Sequence, residues 1–238
     1  MNTDNAIQFL RKDENRFVCF LECIKRDNIK YFYAESDGVL LYDVTAGLYL
    51  FATENEEACE RALKTIDEMK NVALCVNEFE YIALKEKFGF DGFNLCRQIV
   101  WEGKDPLLLK GICEVKRLEP TEENINEVFE HYTLHYPKEH IKFIMEKLGI
   151  YGGFVDGKMV GFIGRHEEHS IGMLEVFPEY RRRGYAEEIE KSVLNILLAK
   201  DEIPFAHIIE DNVPSLTMHE HMGYSFSKGK FYWVFNKN

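Results

Sequence analysis

Short apolar runs of β character alternate with amphipathic helical stretches along nearly all of this chain. That alternation predicts an α/β arrangement with a partly parallel sheet. In the first half the strand runs are Ile29–Ala34, Val39–Asp43, Leu48–Ala52, Val72–Val76 and Leu95–Trp101. Helices are predicted over 15–25, 56–69 and 78–88, the last stopped by Gly89. In the second half the strand runs are Ile112–Leu118, Tyr151–Val155, Lys158–Gly164, Ile171–Phe177, Pro204–Glu210 and Phe231–Phe235. Thr121 reads as an N-cap, with Glu122 and Glu123 in the first turn of its helix. A second helix runs to Gly149, a long one stacks Ala186, Ile189, Val193 and Leu197, and a short one covers Pro214–Met222. Asp37-Gly38 and Asp156-Gly157 each read as a hairpin turn.

At 238 residues and 46% hydrophobic, the chain can bury a sizeable core without disulfide or metal staples. Its 41 acidic residues against 29 basic ones argue against a broad nucleic-acid interface, which needs a basic face. The longest apolar stretches, such as 193–199, are too short for a membrane span, and residues 1–4 do not open a targeting segment. The six cysteines lie inside apolar patterns with no C-x-x-C pair, so they read as buried thiols of a reducing, cytoplasmic compartment. All eight histidines follow the last cysteine, which leaves no zinc-finger pattern. His131 and His135 stand at a metal-friendly i, i+4 spacing but lack a third ligand, so no metal is expected.

The two halves repeat one order of elements, and the polar stretch 102–106, with Gly103 and Pro106, is the natural linker between them. From hairpin glycine to helix-stop glycine is 51 residues in the first half and 66 in the second. The shorter copy lacks a basic loop that the longer one carries.

That loop carries the chemistry. In Leu174-Glu175-Val176-Phe177-Pro178-Glu179-Tyr180-Arg181-Arg182-Arg183-Gly184-Tyr185-Ala186, an apolar strand enters a triple-arginine turn that opens a helix. A helix start offers unpaired N–H groups and positive dipole, and Gly184 and Ala186 let a dianion approach the backbone. Neither the lysine-bearing phosphate loop nor the dinucleotide fingerprint is present.

The segment resembles motif A of the GNAT superfamily of acyl-CoA-dependent N-acyltransferases, whose pattern is a strand, V-x-P-x-[YF], then [QR]-x-x-G-x-[GA]. A second family element, an Asn after a strand followed by a short helix and Gly-aromatic, is matched by Asn212 through Ser215 to Gly223-Tyr224. The resemblance covers Ile112 onward. It implies tandem GNAT-like domains, each a twisted mixed sheet flanked by helices: a degenerate copy over 1–105 and a catalytic copy over 106–238.

In such a protein Arg181, Arg182, Arg183, Gly184, Tyr185 and Ala186 would hold the pyrophosphate of acetyl-CoA. The backbone of Leu174 to Val176 would pair with its pantetheine arm, and Asn212 and Ser215 would touch that arm. The implied reaction is N-acetylation of a primary amine, small-molecule or peptide, by direct attack in a ternary complex without metal. An amino-acid N-acyltransferase and a non-catalytic acyl-CoA sensor are the alternatives. The family's acid is often a tyrosine in the helix before Gly-aromatic, and here that position is His219. Its early-strand base position falls on Ser170, so Glu175 becomes the candidate base. Strict alternation puts Glu175 on the opposite face from Ser170 unless a bulge intervenes. His166, Glu167, Glu168 and His169 read as a solvated hairpin tip; the alternative is that they line the acceptor site or act through water. The first copy is expected to cover a sheet edge, shape the acceptor cleft or support a homodimer.

Overall fold

The structure is a computed structural model that describes residues 2–70, 72–134 and 136–237. Its helices are α1 (Asn2–Leu10), α2 (Val18–Lys25), α3 (Glu56–Leu63), α4 (Glu78–Phe88), α5 (Glu122–His131), α6 (Lys138–Lys147), α7 (Tyr185–Leu198) and α8 (Val213–Met222). Its strands are β1 (Ile29–Glu35), β2 (Gly38–Asp43), β3 (Leu48–Thr53), β4 (Ala73–Cys75), β5 (Gly92–Val100) and β6 (Glu114–Arg117), then β7 (Tyr151–Val155), β8 (Lys158–Arg165), β9 (Ile171–Val176), β10 (Phe205–Ile209), β11 (Ser225–Phe226) and β12 (Phe231–Phe235). The chain divides into two compact units, one of residues 1–100 with 207–238 and one of residues 101–206.

The first unit is built on a mixed sheet of order β1-β2-β3-β4-β12-β5-β10, with β11 on β5. β3 and β4 run parallel, joined through α3; β1, β2 and β3 form an antiparallel meander. The first hairpin turns at Ser36-Asp37, one residue earlier than expected, and Gly38 opens β2. Gly38 is required there by close approach: a Cβ would lie 2.6 Å from the Thr53 side chain and 2.9 Å from the Ala52 carbonyl. The first of these helices, α1, was not expected, and α3 stops at Leu63 rather than reaching Met69. Tyr33, Leu40, Phe51, Leu63, Cys75, Leu84 and Phe90 pack into one apolar cluster, which β12 joins through Val234.

The compact division departs from the expected domains of 1–105 and 106–238. Residues 207–238 complete the first unit because β12 inserts between β4 and β5, antiparallel to both, with Trp233 opposite Leu74 and Asn94. A continuous sequence half therefore does not complete its own sheet. The first boundary falls between residues 100 and 101, just before the polar stretch 102–106, and the second falls between residues 206 and 207.

The second unit has the four-stranded sheet β6-β7-β8-β9, antiparallel throughout and so not the mixed sheet expected for each copy. Helices α5 and α6 cover the face of Phe162, with Leu118, Val128, Tyr132, Ile141 and Ile144 in the core. Helix α7 covers the other face. Gly152 and Gly153 make this close packing feasible: a Cβ on Gly152 would press on Leu118, and one on Gly153 would lie 2.6 Å from Ile189. The second hairpin is as expected, with Asp156 at φ 50° and Gly157 at φ 76°, both central residues left-handed.

Candidate functional site

The basic loop joins β9 to α7. Pro178–Tyr180 make one turn of 3-10 helix, and Arg182 (φ 64°) and Gly184 (φ 87°) curl the chain into the helix start. Gly184 is the N-cap, in a left-handed conformation that costs an L-residue roughly 1–2 kcal/mol. The first intrahelical bond recorded is Glu188 N–H to Gly184 C=O at 3.1 Å, so the amides before it follow the usual lack of an intrahelical acceptor. All three arginines are exposed. Arg181 Nε donates to the Val176 carbonyl at 2.9 Å, and Arg183 donates to the Glu179 carbonyl at 2.9 Å while stacking over Tyr180.

Two carboxylates in the first turn of α7 would oppose an anion, but both are engaged. Buried Glu188 accepts from the Lys110 and Gly111 amides at 3.0 and 2.5 Å. Glu187 pairs with Lys191 and Lys110, and those hydrogen bonds hold its carboxyl below the usual range. The residues therefore fit a pyrophosphate: an open helix start, a glycine where the backbone must be approached, and three exposed cations.

Among the described residues, β9 ends its sheet and pairs with β8. Phe177 N–H donates to the Val160 carbonyl, so the Val176 backbone groups face away from β8. The register with β8 shifts by one residue between Gly172 and Glu175, where Met173 takes φ 56°. This bulge reverses the alternation and turns Glu175 onto the face of Ser170 and Phe162, the face that α5 covers. There Thr133 Oγ1 donates to Glu175 Oε1 at 2.8 Å, with the Thr133 amide 3.4 Å from the same oxygen.

Around this point lie Tyr132 and Tyr136, rings 5.1 Å apart, with His140 edge-on to Tyr136. Burial pushes the Tyr132 hydroxyl up, and pushes Tyr136 up to about 12 with help from the nearby charge of Glu167 and Glu168. The 166–169 turn is not a solvated tip throughout. Glu168 is 5% exposed and accepts from Ser170, and Glu167 lies 3.2 Å from His140. His131 donates Nδ1–H to the Glu127 carbonyl and stacks on Phe177; His135 lies outside the described residues. No group of three metal-ligating side chains occurs among the described residues.

Asn212, Ser215 and His219 belong to the first unit. Asn212 caps α8, its Oδ1 accepting from the Ser215 amide at 3.3 Å. That leaves its amide group, a donor, for any ligand. His219 is 5% exposed, so it is no surface residue. Its Nδ1 lies 2.7 Å from the Ser215 carbonyl, which can only accept, so Nδ1 carries the proton and the neutral ring takes up a proton at Nε2.

The same unit contains the first-half counterpart of the strand-to-helix turn. There Asn55 caps α3 with its own side chain, and Glu56 and Glu57 occupy the first turn in place of arginines. Beyond the parallel β3–β4 pairing, the carboxylate of Glu80 bridges the two strand ends. Its Oε1 accepts from Thr53 N at 2.6 Å and Oγ1 at 2.9 Å, and its Oε2 from Val76 N and Asn77 N, both at 2.9 Å. Asn77 Nδ2 adds a fifth bond at 3.0 Å. Glu80 is fully buried, and burial pushes it up to about 7 although these donors pull the other way.

Sequence reading missed Thr133 and Glu80. Thr133 follows a helix end with no motif around it. Glu80 carried a signal, an acidic residue three after Asn77 in the pattern of a capping box, which the structure forms.

The family model described as FR47-like protein matches residues 147–234. No curated protein matches the sequence. Among solved structures, a Drosophila protein from a structural genomics consortium is 13% identical, with a TM-score of 0.74 over 97% of this chain and 94% of that one. A GCN5-related N-acetyltransferase from Kribbella flavida is 12% identical, with a TM-score of 0.59 over 94% and 96%. A GNAT-family acetyltransferase structure from Novosphingobium aromaticivorans is 14% identical, with a TM-score of 0.57 over 94% and 98%. The chain has the fold of the GNAT-superfamily acetyltransferases.

Proposed function

We propose that the chain transfers an acetyl group from acetyl-CoA to a primary amine, small-molecule or peptide, by direct attack in a ternary complex. The observation that carries this reading is the exposed triple-arginine loop at the glycine-capped start of α7, immediately after β9, in a chain of this fold. Backbone amides of Arg181 to Ala186 would hold the pyrophosphate, and the arginines would add charge. The backbone of Leu174, Glu175 and Val176 would run beside the pantetheine arm. Arg181 would then have to release the Val176 carbonyl it now holds.

Bound acetyl-CoA supplies the acetyl group activated as a thioester. Glu175 takes the ammonium proton of the acceptor, which gives the amine its free lone pair. The roles of Asn212 and Ser215 as CoA-arm contacts, and of His219 as proton donor to the departing thiolate, rest on the family resemblance. The tautomer deduced above makes protonated Nε2 the donating atom.

Within this reading the catalytic copy runs over residues 106–238 in sequence and a degenerate copy over residues 1–105, with residues 207–238 packing in the compact unit of residues 1–100. Support for the degenerate copy is local: Glu56 and Glu57 at its helix start repel phosphate, and Glu80 occupies the amides of both strand ends. None of the six cysteines forms a disulfide, which suits the reducing setting of the cytoplasm. No described helix is long and apolar enough to cross a membrane.

The test is acetyl-CoA binding by calorimetry, followed by thiol release against a panel of primary amines. Binding with turnover is expected. Absence of binding by folded protein would overturn the reading of Arg181–Ala186 as a pyrophosphate loop. Binding without turnover on any amine would overturn the transferase reading in favour of a sensor.

A further inference from the structure

We infer that Thr133 is a positioning residue for the base, a role that rests on the transferase reading given above. A carboxylate acting as base must present one oxygen at a defined place, and a glutamate side chain has three rotatable bonds to freeze. The Met173 bulge supplies the direction by turning Glu175 toward α5. Thr133 supplies the fixation. Its hydroxyl donates to Oε1 at 2.8 Å and its amide approaches the same oxygen at 3.4 Å. Both donors act on one oxygen, so Oε2 is left to receive the proton. A β-branched residue restricts χ1, which holds the hydroxyl in place.

Thr133 is exposed and lies in the turn after α5, so the contact adds nothing the hydrophobic core requires. The partner it offers Glu175 is a neutral hydroxyl, not the cation that a structural ion pair would need. The titratable groups facing Glu175 are Tyr132 at the end of α5 and, across Tyr132, Tyr136 and Glu167; His131 lies one residue earlier on α5, stacked on Phe177. Removing the Thr133 donor must therefore free the carboxylate to rotate away from the acceptor, which slows proton transfer without touching the acetyl-CoA loop.

The experiment uses the full chain, acetyl-CoA and the panel glycine, lysine, phenethylamine and spermidine, with thiol release followed at one fixed pH. On the best amine, Thr133→Val is expected to lower kcat about tenfold with acetyl-CoA affinity by calorimetry unchanged. Thr133→Ser is expected to restore kcat, because it keeps the hydroxyl donor. In a Glu175→Gln background, Thr133→Val is expected to have no further effect. A Thr133→Val kcat equal to that of the wild type, or equal losses in the Val and Ser variants, would overturn the positioning role. Absence of turnover by wild-type protein that binds acetyl-CoA would instead overturn the transferase reading itself, and the base with it.

Discussion

Replacing Glu80 by glutamine tests how the first unit is held together. The native carboxylate sits with no exposed surface and accepts five hydrogen bonds from Thr53, Val76 and Asn77. Burial moves its titration from 4.5 up to about 7, an opposing effect larger than that of the donors. The unfolded chain binds fewer protons than the native state between these values, so this residue's contribution to stability falls as pH rises from about 4.5 to 7 and is level above that. At about 1.36 kcal/mol per unit, the difference across the window is on the order of 3 kcal/mol. A glutamine side chain does not titrate, so subtracting the urea-denaturation free energy of Glu80→Gln from that of the wild type isolates the effect from every other carboxylate. The wild-type advantage over the variant should shrink by about 3 kcal/mol between pH 4.5 and 7.5. The variant should also be less stable at every pH. A carboxamide presents NH2 where two backbone donors need an acceptor, and each buried donor left unmade costs about 1–3 kcal/mol. Parallel stability curves for the two proteins would refute the reasoning. A wild-type advantage that grows with pH would show that the five donors outweigh burial.

Other expectations follow from single features. Gly184→Ala forces an L-residue into φ 87° at the start of α7, so acetyl-CoA affinity by calorimetry should fall about tenfold while the melting temperature drops only a few degrees. Asn55→Ala removes the side-chain cap of α3 and should cost about 1 kcal/mol in urea denaturation, without changing acetyl-CoA binding. Burial raises Cys59 and Cys96 to about 12 and Cys113 to about 11, with Cys75 also raised. A disulfide exchange reagent at pH 8 should therefore label Cys59, Cys75 and Cys96 slowly in folded protein and rapidly in urea, and fast labelling of these three would contradict their burial; Cys113, read from the sequence as buried, is half-buried and should react first of the four.

Local chemistry made much of this protein readable from its residues. The Asp156-Gly157 turn, the Thr121 cap and the strand-loop-helix of residues 171–198 are each specified by neighbours within a few positions, because turn and cap preferences act over that range. The arginine loop and Gly184 belong to the same class, and the exposed, glycine-capped helix start they form was legible from those residues. The bulge at Met173 was not, because no residue type there demands a left-handed conformation; only the competing register of β8 against β9 imposes it. That one extra residue decides which face Glu175 occupies, and so whether Thr133 reaches it. The insertion of β12 between β4 and β5 is of the same kind. Residues 231–235 read equally well as the last strand of any sheet, since period-2 alternation specifies a strand and its faces but not its neighbours. Sequence determined most of the elements and the charged loop, though not α1 or β11; pairing across long separations, which depends on which edges remain open once the rest has packed, was decided by the tertiary structure alone.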